Sequence, residues 1–299
     1  MRTYAKGGSS VSLYISNRQL YRNGVETVPV PLLLSSPYLT MQHRVFPEGF
    51  EYQALLQDIF ELTNTSGGEE PYFLLPSGCI LLLFRMHPRA SSCILCGPLT
   101  TMRRLRVPGG TTVFCARLRA GSGDWLAGNS VSLLTDRTVP LSRYLTGADR
   151  LLANLRRGES FHERGVLLFR HMVSQDADAY QPMALLRRCT DLIRENRGLL
   201  RVSELASTVG CSERYLNRIF QERVGLSTKL YSELTQLQFS LYDILTTQPK
   251  SLLNTAVTYG YFDQTHMNRS YRKFLDCTAN DMRYADSRTI HADDLPAAL

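Results

Sequence analysis

The chain has 299 residues, 43% of them apolar and 20% charged, a balance that indicates an ordinary globular protein long enough for two buried cores. Its net charge of +7 comes from 34 basic and 27 acidic residues, and only four of the basic residues are lysine. Because arginine is the better bidentate partner for phosphate and base edges, this composition permits a nucleic-acid partner. The longest apolar stretch, CILLLF at 79–84, is far too short to span a bilayer.

The start of the chain and its cysteines bear on the compartment. The first 20 residues lack an apolar run, so we expect no signal peptide. Seven cysteines are an odd number and are scattered, which suits a reducing cytoplasm better than a disulfide framework. We therefore expect a cytoplasmic protein.

Residues 1–150 are predicted to be rich in β-strands. Short apolar runs at 71–76, 79–86 and 92–99 alternate with proline and glycine turns. The segment VPGGTTVFCARL at 107–118 fits either a strand or a turn followed by a short helix.

Cys93 and Cys96 form a lone CxxC motif inside this region. A zinc site would need further ligands, for which Cys79, His87 and Cys115 are the candidates, and a redox pair would need a thioredoxin-like helix start. Buried cysteines that act as small apolar residues are the commoner outcome. We expect no metal site here.

Residues 140–172 are predicted to be helical, and SQDADAYQP at 174–182 is predicted to be a linker. His162 and His171 are nine residues apart and so lie on opposite faces of any shared helix, and Trp125 fits a core as well as a pocket. The sequence shows no phosphate loop, no Ser-His-Asp order and no paired carboxylates at metal spacing. We therefore predict no catalytic residue, no cofactor and no enzymatic activity.

The C-terminal third contains an internal repeat. LASTVGCSERYLNRIFQERVGLST at 205–228 aligns with TAVTYGYFDQTHMNRSYRKFLDCT at 255–278, with an offset that changes from 50 to 51 at the turn. In each copy a short helix is predicted to end at Gly210 or Gly260, and a second helix to begin after the N-cap residue Ser212 or Asp263. Both copies therefore predict a helix-turn-helix.

The second helix of each copy has an apolar and a polar stripe. The apolar positions are Leu216, Ile219 and Phe220 in the first copy and Met267, Tyr271 and Phe274 in the second. The polar positions are Arg214, Asn217, Arg218 and Gln221, and then Thr265, Asn268, Arg269 and Arg272. These are the residue types that read base edges in the major groove, although a solvated face is the plainer alternative.

A long helix is predicted to join the two copies. STKLYSELTQLQFSLYDILT at 227–246 has Ser227 as its cap, a leucine-rich stripe, and Pro249 beyond its end. Twenty helical residues span roughly 30 Å, close to the about 34–36 Å of one DNA turn. Such a helix could set two reading helices into successive major-groove segments.

On these motifs, residues 183–285 resemble the DNA-binding domain of the AraC/XylS family of bacterial transcription regulators. The second copy carries the most diagnostic part, usually Gly-Phe, then Phe-x-Arg-x-Phe-Lys, then Gly-x-Ser-Pro and Tyr-Arg. Here Met267 and Tyr271 replace the family's phenylalanines, and Asp276 and Ala279 replace its glycine and proline. A buried core can absorb the first pair, and aspartate tolerates a left-handed turn.

The resemblance implies an α+β chain with a β-rich N-terminal sensor or dimerisation domain and an all-α domain of seven helices. The expected domains are 1–150, a helical segment and linker at 151–182, the DNA-binding domain at 183–287, and a tail at 288–299. Double-stranded DNA is the implied partner, with RNA polymerase, a small-molecule effector and a homodimer contact as further possibilities. The protein is expected to be located in the bacterial cytoplasm, at the nucleoid.

The resemblance also implies roles for single residues. The base-contacting candidates are Arg214, Asn217, Arg218, Gln221, Gln264, Thr265, Asn268 and Arg269. Arg272 and Lys273 are expected to contact phosphates. Apart from the resemblance, His266 fits either a contact with the DNA backbone or a packing or solvated role. Residues 183–287 carry 14 basic and 11 acidic residues, a net +3, so the isolated domain is expected to bind weakly.

Two other functions remain open from the sequence. An enzymatic, DNA-repair-like N-terminal half with an appended DNA-binding module would need a reactive cysteine in a basic pocket. A protein–protein adaptor that has lost DNA contact would fit the small basic excess.

Overall fold

A computed structural model describes residues 10–11, 38–45, 54–175, 183–247, 249–283 and 290–291. The strands are β1 (Ser10–Val11), β2 (Leu39–Val45), β3 (Leu56–Asn64), β4 (Glu70–Leu74), β5 (Leu81–Met86), β6 (Ser92–Cys96), β7 (Arg103–Val107), β8 (Thr112–Leu118), β9 (Thr138–Pro140) and β10 (Ile290–His291). The helices are α1 (Asp124–Ala127), α2 (Ala148–Arg157), α3 (Phe161–Val173), α4 (Ala184–Glu195), α5 (Val202–Thr208), α6 (Glu213–Arg223), α7 (Thr228–Thr247), α8 (Leu252–Thr258), α9 (Gln264–Leu275) and α10 (Ala279–Arg283).

The N-terminal half is built on an antiparallel sheet of six strands in the order β2-β3-β8-β5-β6-β9. A smaller sheet, β4-β7, covers one face of it. Phe60 and Leu83 from the large sheet and Tyr72 from the small one share a buried core, because alternate residues of a strand point to the same face. The prediction of a β-rich first half is confirmed.

The ambiguous segment at 107–118 forms a strand. Gly110 takes a φ of +69°, and β8 begins two residues later and pairs with both β3 and β5 at the centre of the sheet. Val113, Phe114 and Cys115 are all buried. The strand reads as a continuous apolar run because both of its faces are covered.

Polar side chains are buried within this sheet as well. Asp58 lies opposite Arg117, with their Oδ1 and Nε atoms 3.5 Å apart, and its Oδ2 is 3.5 Å from Nε2 of His43. Burial alone would raise the pKa of Asp58, but the charge of Arg117 and the contact with His43 outweigh it and lower the pKa. Arg117 also lies 5.6 Å from the centroid of the Phe60 ring.

Helices α2 and α3 pack on the other face of the large sheet. Leu151 and Leu155 of α2 and Leu168 of α3 share a core with Ile59 and Phe114. The prediction of helix over 140–172 is wrong at its start, where β9 and a 3-10 turn over Leu141–Arg143 precede α2. Most of the predicted linker, 176–182, lies outside the described residues.

In the described residues from 183 to 283, the chain forms the seven helices α4 to α10, which is the number that the resemblance implied. They enclose one core, to which α7 contributes Leu234, Leu237, Leu241 and Ile244. Within the described ranges, no helix is long and apolar enough to traverse a bilayer.

Candidate nucleic-acid interface

The turns of the two repeats have the predicted geometry. Gly210 and Gly260 both take a φ of +69°, a conformation that favours glycine. Ser212 Oγ accepts the backbone N–H of Tyr215 at 3.2 Å, and Asp263 Oδ1 accepts that of His266 at 2.7 Å. Helices α6 and α9, the second helices of the two repeats, are called the reading helices below. Each of them therefore begins at the predicted cap.

The structure identifies the extra residue of the second turn. The N–H of Cys211 donates to the carbonyl of Ala206 at 3.0 Å, and the N–H of Tyr261 donates to that of Ala256 at 2.9 Å. The residues of the second bond lie 50 positions after those of the first, whereas the cap Asp263 lies 51 positions after the cap Ser212. The inserted residue is therefore Phe262.

Helix α6 presents the predicted polar face to solvent. Arg214, Arg218 and Gln221 are exposed, while Leu216 and Phe220 are buried on the opposite side. The guanidinium of Arg218 lies over the Tyr215 ring at 5.1 Å from the centroid, and this stacking restricts where the side chain points.

Helix α9 repeats this arrangement. Gln264, Thr265, Arg269 and Arg272 are exposed, and the helix buries Met267, Tyr271 and Phe274. Among the described residues, Arg214, Arg269 and Arg272 have no ion-pair partner, although arginines elsewhere in the domain do: Arg187, Arg188 and Arg194 on α4 and Arg223 at the end of α6. The unpaired guanidinium groups on the reading faces are available to an anionic partner.

Asn217 and Asn268 occupy equivalent positions but are only half exposed. Asn217 Oδ1 accepts the backbone N–H of Thr228, the first residue of α7, at 3.2 Å. Asn268 Oδ1 accepts that of Ala279, the first residue of α10, at 3.1 Å. Both asparagines therefore already accept a hydrogen bond within the protein, whereas bidentate adenine recognition would use the amide oxygen as well as the nitrogen.

Lys273, unlike the exposed arginines of α9, has an ion-pair partner on a neighbouring helix. Its Nζ lies 2.9 Å from Glu233 Oε2 on α7, and Glu233 also pairs with Lys229 at 3.9 Å. These residues line a cleft beside Thr100 and Thr101 of the β-rich half. The lysine therefore belongs to the seam between α9, α7 and the β-rich half, and a phosphate contact would compete with Glu233.

The connecting helix agrees with the prediction to within one residue. Ser227 Oγ accepts the N–H of Leu230 at 3.2 Å, and α7 runs from Thr228 to Thr247. Gln236 Nε2 donates to the carbonyl of Tyr259 at 2.6 Å, just after the end of α8. This bond satisfies a carbonyl at a helix end and joins α7 to the second repeat.

The departures from the family pattern are accommodated locally. The hydroxyl of Tyr271 lies 3.0 Å from Ser240 Oγ on α7, so the buried phenol has a partner. Asp276 takes a φ of +57°, the left-handed conformation that the usual glycine would adopt.

The β-rich half directly contacts the helical domain formed by α4 to α10. The sequence analysis did not predict this contact. Asp124 forms an ion pair with Arg223 at the end of α6. Three hydrogen bonds follow: Thr135 Oγ1 to the carbonyl of Gly225 at 2.7 Å, Gln238 Nε2 to that of Pro76 at 2.6 Å, and the N–H of Met102 to that of Phe274 at 2.8 Å. Most of these partners are backbone atoms, which leave no side-chain pattern in a sequence.

The CxxC motif does not form a site. Cys93 belongs to the core under α2 and Cys96 to the core between the sheets, because residues three apart in a strand face opposite sides. Burial, together with the smaller effect of the nearby Asp149, raises the pKa of Cys93 to about 11. In the described part of the chain, no group of three or more possible metal ligands is present.

The histidines and the tryptophan form no cluster. Burial lowers the pKa of His171, although a hydrogen bond with the backbone of Thr146 opposes this shift. His162 is exposed on α3, and Trp125 packs half-buried against the core beneath α2.

Comparison with known proteins identifies two domains. Residues 205–285 match a helix-turn-helix domain model, and residues 53–140 match a domain of unknown function (DUF6597). The C-terminal part of the chain is therefore a helix-turn-helix domain of the AraC type, as the resemblance implied. No curated protein sequence matches the chain significantly.

Three solved structures are similar in outline. The C-terminal domain of AraT, a response regulator from Geobacillus stearothermophilus, is 20% identical over 37% of this chain and 90% of its own, with a TM-score of 0.33. ToxT from Vibrio cholerae is 8% identical over 83% of this chain and 100% of its own, with a TM-score of 0.41. A structure of ToxT with bound unsaturated fatty acid is 8% identical over 84% and 96%, with a TM-score of 0.38.

Proposed function

We propose that this chain, whose residues 205–285 form an AraC-type helix-turn-helix domain, regulates transcription by binding double-stranded DNA through α6 and α9. The observation that supports this most is the pair of exposed polar faces at equivalent positions of the two repeats. Arg214 and Arg269 carry charge there without a protein partner in the described ranges.

The base-reading set is proposed to be smaller than the sequence suggested. Arg214, Arg218 and Gln221 on α6, with Gln264, Thr265 and Arg269 on α9, would contact base edges in the major groove. Arg272 lies one turn further along α9 and would contact a phosphate. Asn217 and Asn268 would instead hold each reading helix to the helix that follows it.

The two helices are proposed to read successive major-groove segments. Helix α7 has 20 residues and spans roughly 30 Å, close to one turn of B-DNA. It is anchored to both repeats, through Asn217 at its start and through Gln236 further along. A spacer fixed at both repeats would make the distance between the two contacted segments a property of the fold.

The β-rich half is proposed to modulate this binding, through a small-molecule effector or a homodimer contact. It contacts the end of α6 through Asp124 and the end of α9 through Met102, so a change in its shape would reach both reading helices. The regulator would act in the cytoplasm of a bacterium, at the nucleoid and together with RNA polymerase.

Selection of DNA from a random duplex library by the full chain tests the proposal. Arg218→Ala and Arg269→Ala are each expected to lower affinity for the selected site by about 1–3 kcal/mol and to relax base preference at positions about one DNA turn apart. Arg188→Ala on α4 is the matched control, since it removes an exposed arginine that lies off both reading faces. Fluorescence anisotropy with single-base variants of the site measures both effects.

The result that would contradict the proposal is equally specific. If the full chain selects no sequence, or if both arginine variants keep the base preference of the unmodified protein, α6 and α9 do not read DNA. Equal losses for all three variants would indicate non-specific attraction by charge alone.

A further inference from the structure

Phe262 lies in the turn before α9, and its side chain is 88% exposed. A single exposed apolar residue is not unusual in itself. This one is the residue inserted into the second repeat, since the first repeat passes from Cys211 directly to its cap Ser212. The two reading units therefore differ by an aromatic side chain at the start of one of them.

The backbone of Phe262 is held in place by the helix that follows. Its N–H donates to Nδ1 of His266 at 3.2 Å, and the N–H of His266 donates to Oδ1 of Asp263 at 2.7 Å. The imidazole also contacts the Tyr261 ring edge-on, with the centroids 5.5 Å apart. His266, for which the sequence offered a DNA-backbone contact or a packing or solvated role, thus fixes the turn that presents Phe262.

The turn that contains Phe262 lies next to the exposed polar face of α9. Phe262 directly precedes the cap Asp263, and the next two residues are the exposed Gln264 and Thr265. In helix-turn-helix proteins the first residues of the reading helix approach the base edges most closely. A large apolar group at that end would meet the one apolar feature of the major groove, the 5-methyl group of thymine.

We propose that Phe262 contacts a thymine methyl group next to the bases read by Gln264 and Thr265, and so determines specificity in the half of the site bound by α9. The inference rests on the proposed DNA binding by α9. It predicts an asymmetry between the two halves of the site, because the turn before α6 contains no equivalent side chain.

Uracil substitution provides an atomic test. In the duplex selected by the full chain, each thymine is replaced in turn by deoxyuridine, which lacks only the methyl group. At one position in the half bound by α9, the unmodified protein is expected to bind the uracil duplex roughly four-fold more weakly, which corresponds to about 0.8 kcal/mol for one CH2-sized group. Phe262→Ala is expected to bind both duplexes with the same, lower affinity.

Two variants complete the experiment. Phe262→Leu keeps an apolar side chain and is expected to retain a difference between thymine and uracil. Val257→Ala on α8 is the matched control, since it shortens another exposed apolar residue of the same repeat and should leave the full difference intact.

The outcomes separate the possible failures. The inference is overturned if Phe262→Ala keeps the thymine–uracil difference, or if the unmodified protein shows no such difference at any position while binding its site selectively. It is also overturned if Phe262→Ala binds both duplexes like the unmodified protein but no longer supports transcription from a reporter promoter, which would assign the side chain to a protein partner. Failure of the proposed function differs from all of these, because no selective binding would then be seen at all.

Discussion

Asn217 and Asn268 show how a repeated residue can have a repeated structural role. Each lies at the border between the exposed and the buried side of its reading helix, and each accepts the N–H that opens the next helix. A helix has unsatisfied N–H groups at its start, so a fixed acceptor there stabilises the helix and sets its direction. Both asparagines therefore fix the angle between a reading helix and its neighbour.

Asn268→Ala is expected to lower the free energy of unfolding by about 1 kcal/mol, because the N–H of Ala279 loses its acceptor. Base preference at the DNA site should remain, since the amide is not proposed to read a base. Asn268→Asp keeps an acceptor and should recover stability, but its added charge should weaken binding to all sequences alike. Urea unfolding and DNA binding measure the two effects separately. A lost preference at one base pair with unchanged stability would instead restore the base-reading role.

The sequence could predict the arginines of the site better than the asparagines. Arg218 and Arg269 lie near the middle of the polar stripe, so helical periodicity alone places them in solvent. Asn217 and Asn268 precede them by one residue, at the edge of the stripe, where exposure depends on the neighbouring helix. Their hydrogen-bond partners lie 11 residues further along the chain, in the next helix. Helical periodicity does not predict how that next helix is placed.

At the scale of the elements, α7 and α9 are joined by a polar contact inside an apolar core. Ser240 Oγ lies 3.0 Å from the Tyr271 hydroxyl and donates to the carbonyl of Leu237 at 2.9 Å. All three residues are buried, so the hydroxyl of the tyrosine that replaces the family's phenylalanine has a partner inside the core. The pair orients α9 on the connecting helix.

A double-mutant cycle tests this coupling. Tyr271→Phe is expected to cost about 1 kcal/mol of stability, because Ser240 loses one partner but keeps the carbonyl of Leu237. Ser240→Ala should cost more, since the buried phenol then loses its 3.0 Å partner. The double variant should be more stable than the sum of the two losses predicts, because neither group then requires the other. Strict additivity in urea unfolding would show that the contact does not couple the helices.

Local signals explain which elements were predictable. The caps at Ser212, Ser227 and Asp263 and the glycines of the two turns act within a few residues, so the local sequence predicts where α6, α7 and α9 begin. The segment at 107–118 was ambiguous because β8 is covered on both faces and shows no alternation. The predicted helix begins too early at 140, because Pro140 ends β9, which forms only by pairing with β6 more than forty residues earlier, and a 3-10 turn over Leu141–Arg143 follows it.

At the scale of the whole molecule, the β-rich half and the helical domain share buried contacts. Phe73 and Met102 of the β-rich half belong to the core of the helical domain. Gly78 lies against this core so closely that an added Cβ would come within 2.7 Å of the Tyr231 ring and 2.9 Å of Val224 Cγ1. This contact depends on the absence of a side chain at one position, which no sequence pattern reveals.

Gly78→Val is therefore expected to weaken the contact between the halves. Tyr231 lies in the middle of the packed seam and cannot move aside, so the overpacking should cost about 1–3 kcal/mol and be relieved by loss of the interface. Thermal unfolding that is a single transition in the unmodified chain should then split into two, because each half would unfold by itself. Gly67→Val is the matched control, since a Cβ at that position meets no atom within 4 Å. Calorimetry measures these transitions. If Gly78→Val still unfolds in a single transition at an unchanged temperature, the packing of the halves does not depend on this contact. A signal from the β-rich half would then have to reach α6 and α9 by another route.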